Sequence, residues 1–338
     1  MAAKTPPSVY NPEAKRPRTP FPKWLLALAI IALLATFVIP RLNFTALTDW
    51  IRTIGYEPSA EINQLEDKVK FTDEGRSIFR ATRPALEDNE AFNRDCSSHN
   101  HDISILGCYT GGQIYIYNVS DSALAGVRES TAAHEMLHAA WDRLTSAEQQ
   151  RLTPLINQVY SEHHDALAED LKNYNQSEQL DELHSRIGTQ IADLPAELET
   201  HYARYFQDQD AVVKFYDQYQ APFQQLQAEL DSLSKELATM KSEIDTRSEA
   251  YSSRAEAFQR EVNEFNTCAS TPDCYTTAEF NAKRAELVTE QSALNTYYQQ
   301  LSALVDRYNQ KVDQYNSNVL RTQNLQDSIN SNSTPATI

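Results

Sequence analysis

The sequence predicts a mainly α fold with one small sheet, an N-terminal transmembrane helix and a C-terminal antiparallel coiled-coil hairpin. Three observations support this fold class. Residues 24–40 are 17 consecutive uncharged, mostly apolar residues, as in a membrane span. Residues 111–119 alternate β-branched and aromatic side chains after two glycines, which is typical of a strand. Beyond Gly188 no glycine occurs and apolar residues recur at helical spacing, so this part is predicted to be helical.

The N-terminal tail and the apolar segment together predict a single-span membrane protein. Residues 1–23 are rich in Pro, Lys and Arg and carry five cations against one anion, so they should be disordered and cytoplasmic. Residues after Arg41 would then be extracytoplasmic. A cleaved signal peptide is the alternative, but the apolar segment is long for one and no small-x-small cleavage site follows it. We therefore expect a retained anchor at 24–40.

The charge of the chain argues against a nucleic-acid partner. The net charge is −17, and since the first 23 residues contribute +4, the rest carries −21. A phosphate-binding surface needs a basic patch. With 338 residues, the chain has room for about two domains.

The four cysteines form two local pairs, Cys96 with Cys108 and Cys268 with Cys274. An even number of cysteines in short loops predicts disulfides in an oxidising compartment. A small zinc site is the alternative for the first pair. Its four ligands would be Cys96, His99, His101 and Cys108.

The segment between the anchor and the helical half should hold short helices and one strand. Residues 42–57 are predicted to be a juxtamembrane linker, and helices are predicted to open at Pro58, near Thr72 and at Pro84. The strand at Gly111–Val119 would direct its isoleucines inward and its tyrosines outward. If it is an edge strand, it could pair with an extended peptide; otherwise it is an ordinary sheet strand.

The motif His-Glu-x-x-His at residues 134–138 is the strongest functional signal. Residues four apart share one face of a helix, so His134 and His138 can bind one metal ion. Glu135 lies beside the open position, where a carboxylate can take a proton from water. This arrangement suits hydrolysis of a peptide bond by Zn²⁺. A chance match on a helix surface is the alternative, but both histidines flank an apolar stripe formed by Leu137, Ala140, Trp141 and Leu144.

A zinc hydrolase needs a third protein ligand. One group of enzymes with this motif takes a His six residues after the second histidine, but Leu144 occupies that position and Trp141 replaces the expected glycine. Another group takes a Glu from a later helix. The candidate segment for that ligand is 181–188, which reads Asp-Glu-Leu-His-Ser-Arg-Ile-Gly.

Together the two motifs resemble those of the thermolysin-like gluzincins, whose second motif is Asn-Glu-x-x-Ser-Asp-x-x-Gly. The resemblance implies that Glu182 is the third zinc ligand, with Asp181 in place of Asn. The family's Asp, which orients a ligating histidine, falls on Arg186 here, so another acid would have to replace it. Asp193 and Glu178 are the candidates for this role.

Other histidines compete for the role of third ligand. His184 lies in an apolar stripe and should point inward, either as a rival ligand or as a core histidine. His163 and His164 are weaker candidates. Gluzincins often donate a hydrogen bond to the oxyanion from a His or Tyr, which makes His201 and Tyr202 candidate catalytic residues. The alternative for these two is packing within an amphipathic helix.

Two apolar seams predict the coiled-coil hairpin. Each arm has about 40 residues, so an antiparallel pair would be on the order of 60 Å long, with a disulfide between Cys268 and Cys274 at its tip. Pairing with a second chain is the alternative. The first seam is Leu226, Leu230, Leu233, Leu237, Met240 and Ile244, continued by Tyr251, Phe258 and Phe265. The second is Leu287, Leu294, Tyr298, Leu301, Val305, Tyr308, Val312, Tyr315 and Val319.

These observations predict a membrane-anchored, extracytoplasmic zinc metallopeptidase that acts on a peptide or protein substrate. A non-catalytic envelope scaffold with a structural or vestigial metal site is the alternative, and a non-peptide hydrolase such as an amidase is a third possibility. The coiled coil would bind a protein partner or join protomers. The predicted domains are a cytoplasmic tail (1–23), an anchor (24–40), a linker (41–57), a metallopeptidase-like domain (58–215), a coiled-coil hairpin (216–325) and a disordered tail (326–338).

Overall fold

The computed structural model describes residues 1–5, 44–96, 105–171, 174, 175 and 178–331. The chain divides into two compact units, Met1–Ile51 and Arg52–Ile338. The predicted anchor, 24–40, lies outside the described residues. In the ranges that are described, no helix combines the length and the apolar composition that a membrane span requires.

Part of the predicted linker is helical. Helix α1 spans Phe44–Thr53, and the boundary between the two units falls after Ile51. In the second unit the first two helices begin close to the predicted positions. Helix α2 spans Ala60–Val69 and helix α3 spans Asp73–Ala81.

The starts of these two helices follow from their capping residues. The Ser59 side chain accepts a hydrogen bond from the backbone N–H three residues later at 3.2 Å, and the Thr72 side chain does the same at 3.1 Å. Such bonds satisfy N–H groups that lack a partner in the first turn of a helix. The predicted starts near Pro58 and Thr72 are therefore confirmed.

The prediction of a helix at Pro84 was wrong. A short strand, β1 at Ala85–Glu87, follows this proline, and helix α4 at Asn89–Asp95 begins only after the cap at Asp88. Strand β1 pairs in parallel with strand β3 at Gln113–Tyr117. Pairing with a distant strand therefore overrides the local helical signal of this segment.

The strand predicted at 111–119 belongs to a hairpin. Strand β2 at Gly107–Thr110 pairs antiparallel with β3, and the turn between them contains Gly111 and Gly112, whose φ angles are 59° and 76°. Residues with a side chain rarely adopt positive φ angles, and two in succession are rarer still, which explains the two glycines. The isoleucines of β3 are fully buried and its tyrosines are not, as predicted.

The order of the sheet corrects the edge-strand prediction. The strands lie in the order β1-β3-β2, so β3 is central and cannot pair with a further peptide. Among the strands of the described residues, β2 forms an edge. A disulfide joins Cys96, after α4, to Cys108 in β2, as the cysteine spacing predicted. This bond excludes the Cys96/Cys108 zinc site, whose two histidines lie outside the described residues.

A layer of helices follows the sheet and contains both sequence motifs. Helix α5 carries the His-Glu-x-x-His motif, and helix α8 carries the second acidic segment. The helices are α5 at Val127–Trp141, α6 at Ser146–Glu162, α7 at His164–Leu171, α8 at Gln179–Gln190 and α9 at Ala196–Tyr202.

Helices α5 and α8 approach closely because a glycine lies where they meet. A Cβ atom on Gly188 would lie 2.5 Å from Cδ1 of Leu137 and 2.6 Å from Cε1 of Tyr202. No real side chain fits at such distances, so a larger residue would force the two helices apart. The main hydrophobic core surrounds this contact and includes Met136, Leu137, Leu183 and Ile187.

Two long helices complete the second unit. Helix α10 spans Gln209–Ala269 and helix α11 spans Thr277–Ile329. They lie side by side and antiparallel, with cross-helix contacts from base to tip. These contacts include Arg254–Glu290 at 2.5 Å, Lys283–Glu261 at 3.2 Å, Lys311–Glu236 at 3.0 Å and Asn318–Glu229 at 2.9 Å.

The burial of the two long helices follows most of the predicted seams. Leu233, Leu287 and Leu294 are buried, but Tyr298 is 55% exposed and Leu304 is buried in its stead. The second seam therefore includes Leu304, which the prediction omitted, and excludes Tyr298. The disulfide between Cys268 and Cys274 near the tip is confirmed.

The base of these helices belongs to the body of the unit. Val212 is fully buried in the main core and Leu226 is buried in a second one, so the packed region extends to both sides of the predicted boundary at 216. The second core joins both long helices to the first residue of α5 and to the residues that precede it. It consists of Val119, Leu124, Val127, Leu226 and Leu325.

Candidate metal centre

The three predicted metal ligands come together where α5 faces α8. The Nε2 atoms of His134 and His138 lie 3.1 Å apart, and Oε2 of Glu182 lies 3.7 Å and 3.4 Å from them, respectively. Each of the three residues thus offers one atom to a common point. The structure therefore brings together two motifs that are more than 40 residues apart in the sequence.

These separations fit a tetrahedral metal ion. With metal–ligand bonds of about 2.0–2.1 Å, two ligands of a tetrahedral Zn²⁺ lie about 3.3 Å apart. The observed separations of 3.1–3.7 Å bracket that value. Oε2 of Glu182 is buried and accepts no hydrogen bond of normal geometry from the described residues, although it faces both rings. A cation would satisfy this oxygen, so the residues present fit the metal.

Asp181 makes the contact expected of an orienting acid, which the gluzincin motif would place at the position of Arg186. Its Oδ1 atom lies 2.8 Å from Nδ1 of His138. This contact fixes the proton of the ring on Nδ1 and leaves the lone pair of Nε2 free to bind a metal. The two acids that the sequence suggested, Asp193 and Glu178, are exposed on the surface, so that prediction was wrong.

The electrostatics of the cluster favour a positive charge at its centre. Burial raises the pKa of Glu182, but the neighbouring rings of His134 and His138 outweigh burial and hold the pKa well below its usual range. Burial also opposes the charged form of His138, yet the hydrogen bond with Asp181 and the neighbouring carboxylate of Glu182 raise the pKa of this ring well above its ordinary value. A bound cation can supply the same positive charge in place of a proton.

Glu135 lines the cavity beside the ligands, close to the edge strand β2. A Cβ atom on Gly107 would lie 2.6 Å from Oε1 of Glu135 and 2.6 Å from Cγ2 of Thr131. The strand can therefore approach Glu135 this closely only because residue 107 is glycine. The carboxylate of Glu135, the three ligands and the edge strand thus meet at one place.

The cavity in front of the ligands has walls from several elements. Helix α5 contributes His134 and Glu135, and α8 contributes Glu182 and Arg186. Helix α10 contributes two tyrosines to the lining, so the base of the long helices is part of the cavity. The lining residues are Ile105, Leu106, Gly107, Ser130, Thr131, His134, Glu135, Tyr174, Glu182, Arg186, Thr189, Gln190, Tyr216, Tyr219 and Gln220.

Sequence reasoning missed the tyrosines of this cavity. Tyr174 lies in the polar connection between α7 and α8, where no pattern marks it. Burial, followed by the negative charges of Glu182 and Glu135, raises the pKa of its hydroxyl well above the ordinary value, so the group remains a hydrogen-bond donor. Tyr216 and Tyr219 are three residues apart on α10, and their rings are in edge contact at 5.3 Å. This helical spacing was the one signal that they share a face.

The two residues predicted to stabilise an oxyanion lie elsewhere. His201 is 3% exposed, Tyr202 is fully buried, and neither lines the cavity. The Tyr202 hydroxyl donates to the backbone carbonyl of His184 at 2.8 Å. That prediction for His201 and Tyr202 is therefore corrected: both are core residues behind α8.

His184 is likewise a core residue and does not join the cluster. Its Nε2 atom lies 2.8 Å from Nε2 of His201, and its ring packs on Trp141. Burial and the nearby cationic rings lower the pKa of His184 well below its ordinary value, so the ring is neutral. His163 and His164, the weaker candidates for the third ligand, are exposed on the surface.

Comparison with known proteins adds no further information on function. No family model, no curated protein and no solved structure matches this chain.

Proposed function

We propose that this protein is a zinc metallopeptidase whose metal is held by His134, His138 and Glu182. The observation that carries the proposal is the spacing of their three ligand atoms at 3.1–3.7 Å, next to a cavity. Structural zinc sites use four protein ligands, whereas catalytic sites use three and leave one position open. Zn²⁺ bound at such a site supplies a Lewis acid that polarises a carbonyl and lowers the pKa of water.

In this proposal Glu135 is the general base. Its carboxylate lies in the wall of the cavity, one residue after the first ligand, and is largely shielded from solvent. It takes a proton from the attacking water and passes it to the amine of the departing peptide. Because the reaction needs this carboxylate in one place, the contact of Gly107 with Glu135 helps to set its position.

Tyr174 is the proposed donor to the oxygen of the scissile carbonyl. It replaces His201 and Tyr202 in this role because its side chain lines the cavity and its hydroxyl retains its proton. A positioned donor stabilises the negative charge that develops on this oxygen in the transition state. In related chemistry the removal of one such donor costs about 10²–10³-fold in kcat.

The edge strand β2 suggests how an extended substrate binds. Strand β2 pairs with β3 on one side, and its first residue, Gly107, lies next to Glu135. A peptide that adds to the outer edge of β2 would form backbone hydrogen bonds and pass Glu135 and the ligands. Tyr216 and Tyr219, which line the cavity, would contact its side chains. An extended polypeptide is therefore the proposed substrate class.

The anchor and the coiled coil complete the proposal. Residues 24–40 would hold the protein in the membrane as a single span, with the metal centre on the extracytoplasmic side. The two disulfides are consistent with an oxidising compartment. Helices α10 and α11 would form a coiled-coil hairpin that binds a protein partner or a second copy of the chain.

Replacing Glu135 with Gln tests the catalytic role directly. Full-length protein loaded with Zn²⁺ would be tested for cleavage of casein and of a peptide library. Since the Glu135→Gln variant keeps the shape of the side chain but loses the base, we expect cleavage to fall by roughly 10²–10⁴-fold. Zinc content should be unchanged, because Glu135 is not one of the three ligands.

A matched control is available on the same helix. Glu129 is also buried on α5, but it pairs with Lys68 at 2.6 Å and does not line the cavity. The Glu129→Gln variant should cleave at close to the wild-type rate. If zinc binds and the wild-type protein cleaves nothing, or if Glu135→Gln cleaves as well as wild type, the metallopeptidase proposal is wrong. Zinc binding without cleavage would instead favour the alternative function, a non-catalytic envelope scaffold with a structural metal site.

A further inference from the structure

Helix α1 presents three large apolar side chains to solvent. Leu47 is 50% exposed, Trp50 63% and Ile51 55%. At about 100° per residue, these three side chains lie within about 100° of arc on one face of the helix. Thr45 and Asp49 lie on the other side, with Thr45 about 200° round the helix from Leu47. The helix is therefore amphipathic, and the three apolar side chains on this face are each at least half exposed.

The position of α1 in the chain indicates what covers this face. Three residues, 41–43, separate the uncharged segment 24–40 from Phe44, where α1 begins. The four steps from residue 40 to residue 44 span at most about 14 Å. The interfacial region on each side of a hydrocarbon core is about 5–8 Å thick. If the apolar segment spans the bilayer, α1 must therefore begin within the interface or directly above it.

The residue types on the apolar face also match a lipid interface. Tryptophan is enriched where membranes meet water, since its ring is apolar and its N–H group can still find a polar partner. An interfacial helix typically buries Trp, Phe and Leu about 5–10 Å into the boundary between headgroups and acyl chains. Trp50, Leu47 and Ile51 form such a face.

We propose that α1 is an interfacial helix that lies along the outer membrane surface, with Leu47, Trp50 and Ile51 inserted among the lipids. This inference rests on the proposed anchor but not on the peptidase activity. It identifies a second membrane contact for the protein, a lipid surface bound by a helix outside the span. The residues after α1 would then start at the bilayer surface and not at the end of a free linker.

The test uses the depth at which lipids quench tryptophan fluorescence. The chain has three tryptophans, Trp24, Trp50 and Trp141, and Trp141 is buried in the core. Full-length Trp24→Phe protein would be reconstituted in phosphatidylcholine vesicles with lipids brominated near the headgroup or near the chain end. The contribution of Trp50 is the difference from the Trp24→Phe/Trp50→Phe protein.

We expect shallow bromine atoms to quench Trp50 at least about twofold more than deep ones, because an interfacial helix stays at the headgroup boundary. The matched control moves the indole to the polar face: Thr45→Trp in the Trp24→Phe/Trp50→Phe background should be little quenched by either lipid. A separate Trp50→Phe protein reports on Trp24, so failure of the anchor is recognised independently.

Two results would overturn the inference. In the first, Trp24 is quenched by brominated lipids, while Trp50 is quenched by none of them and is accessible to aqueous iodide. The apolar face would then lie in water although the anchor is inserted. In the second, concentrated protein in detergent shields Trp50 from iodide as well as the vesicles do, and dilution of the protein makes Trp50 accessible to iodide. This result would identify a second copy of the chain as the partner.

Discussion

Two pairs of histidines in this protein meet through their Nε2 atoms at similar distances but differ in their surroundings. His134 and His138 are 3.1 Å apart and partly exposed, and two carboxylates, Asp181 and Glu182, lie within 4 Å of their rings. His184 and His201 are 2.8 Å apart and buried, and among the described residues no carboxylate forms a hydrogen bond with either ring.

The surroundings determine the charge of each pair. Neighbouring acids raise the pKa of His138, whereas burial among aromatic rings lowers the pKa of both His184 and His201, that of His201 to about 4. Nδ1 of His184 and Nδ1 of His201 are buried and, within the part of the chain that the structure describes, have no hydrogen-bond partner. Closeness of two imidazoles alone therefore does not indicate a metal site; the proposed site differs from the buried pair in its neighbouring acids.

Removal of a ligand from the acidic pair should give the largest effect. In His138→Ala the cluster keeps one imidazole and one carboxylate, so we expect zinc affinity to fall by more than the roughly 10–100-fold that the loss of an outer partner costs. Titration of the metal-free protein against a competing zinc chelator measures this change. The exposed His164 provides the control, and His164→Ala should bind zinc like wild type. Equal affinities in the two variants would contradict the assignment.

Removal of the orienting acid should give a smaller loss. Asp181→Asn retains a group that can contact Nδ1 of His138 but removes the negative charge. We expect zinc affinity to drop roughly 10–100-fold with the fold intact, since outer carboxylates fix the ring and raise its basicity. The same competition titration applies, with circular dichroism as the check on folding. Unchanged affinity would mean that Asp181 does not orient the ligand.

Replacement of one member of the buried pair should change stability and leave zinc binding alone. In His201→Phe the Nε2 atom of His184 loses its partner, and an unsatisfied buried polar group costs about 1–3 kcal/mol. Urea denaturation would measure the lower free energy of unfolding. Loss of zinc from this variant would show that the two pairs are not independent.

The pH dependence of stability should separate the pairs further. Burial, assisted by the charges of Arg204 and Arg151, lowers the pKa of His201 to about 4 in the folded protein. Between pH 6.5 and 4 the unfolded chain binds a proton at this residue that the folded protein does not. Its contribution is therefore fully present above pH 6.5 and is lost as the pH falls towards 4.

The His201→Phe variant lacks this contribution. Between pH 6.5 and pH 5, metal-free wild type should lose roughly 1–2 kcal/mol more free energy of unfolding than the variant does. The metal cluster is the same in both proteins, so its own titration cancels in the difference. Urea denaturation at the two pH values is the measurement. Parallel losses in the two proteins would mean that His201 titrates normally.

The same contrast shows how far the sequence determines the site. His134, Glu135 and His138 follow from one helical spacing, and Glu182 follows from a second local motif, so local patterns identified the whole cluster. Tyr174 and the contact of Asp181 with His138 depend on how α8 packs against α5. Spacing along the chain carries no such information, and the residues predicted in their place lie on the surface or in the core.

The fold shows the same division between local and long-range information. The helix starts near Pro58 and Thr72, the strand that follows Gly111 and Gly112 and the two disulfides are encoded locally and were predicted. Strand β1 forms only through pairing with β3, some 30 residues later, whereas its local sequence predicts a helix. Tyr216 and Tyr219 belong to a long helix, and only its packing shows that they line a cavity.

The zinc content of three purified proteins tests the central claim most directly. After exhaustive dialysis, elemental analysis should find about one zinc ion per chain in wild type and in His184→Phe, and close to none in Glu182→Ala. Zinc retained by Glu182→Ala and lost from His184→Phe would place the third ligand on the buried pair and contradict the assignment of Glu182.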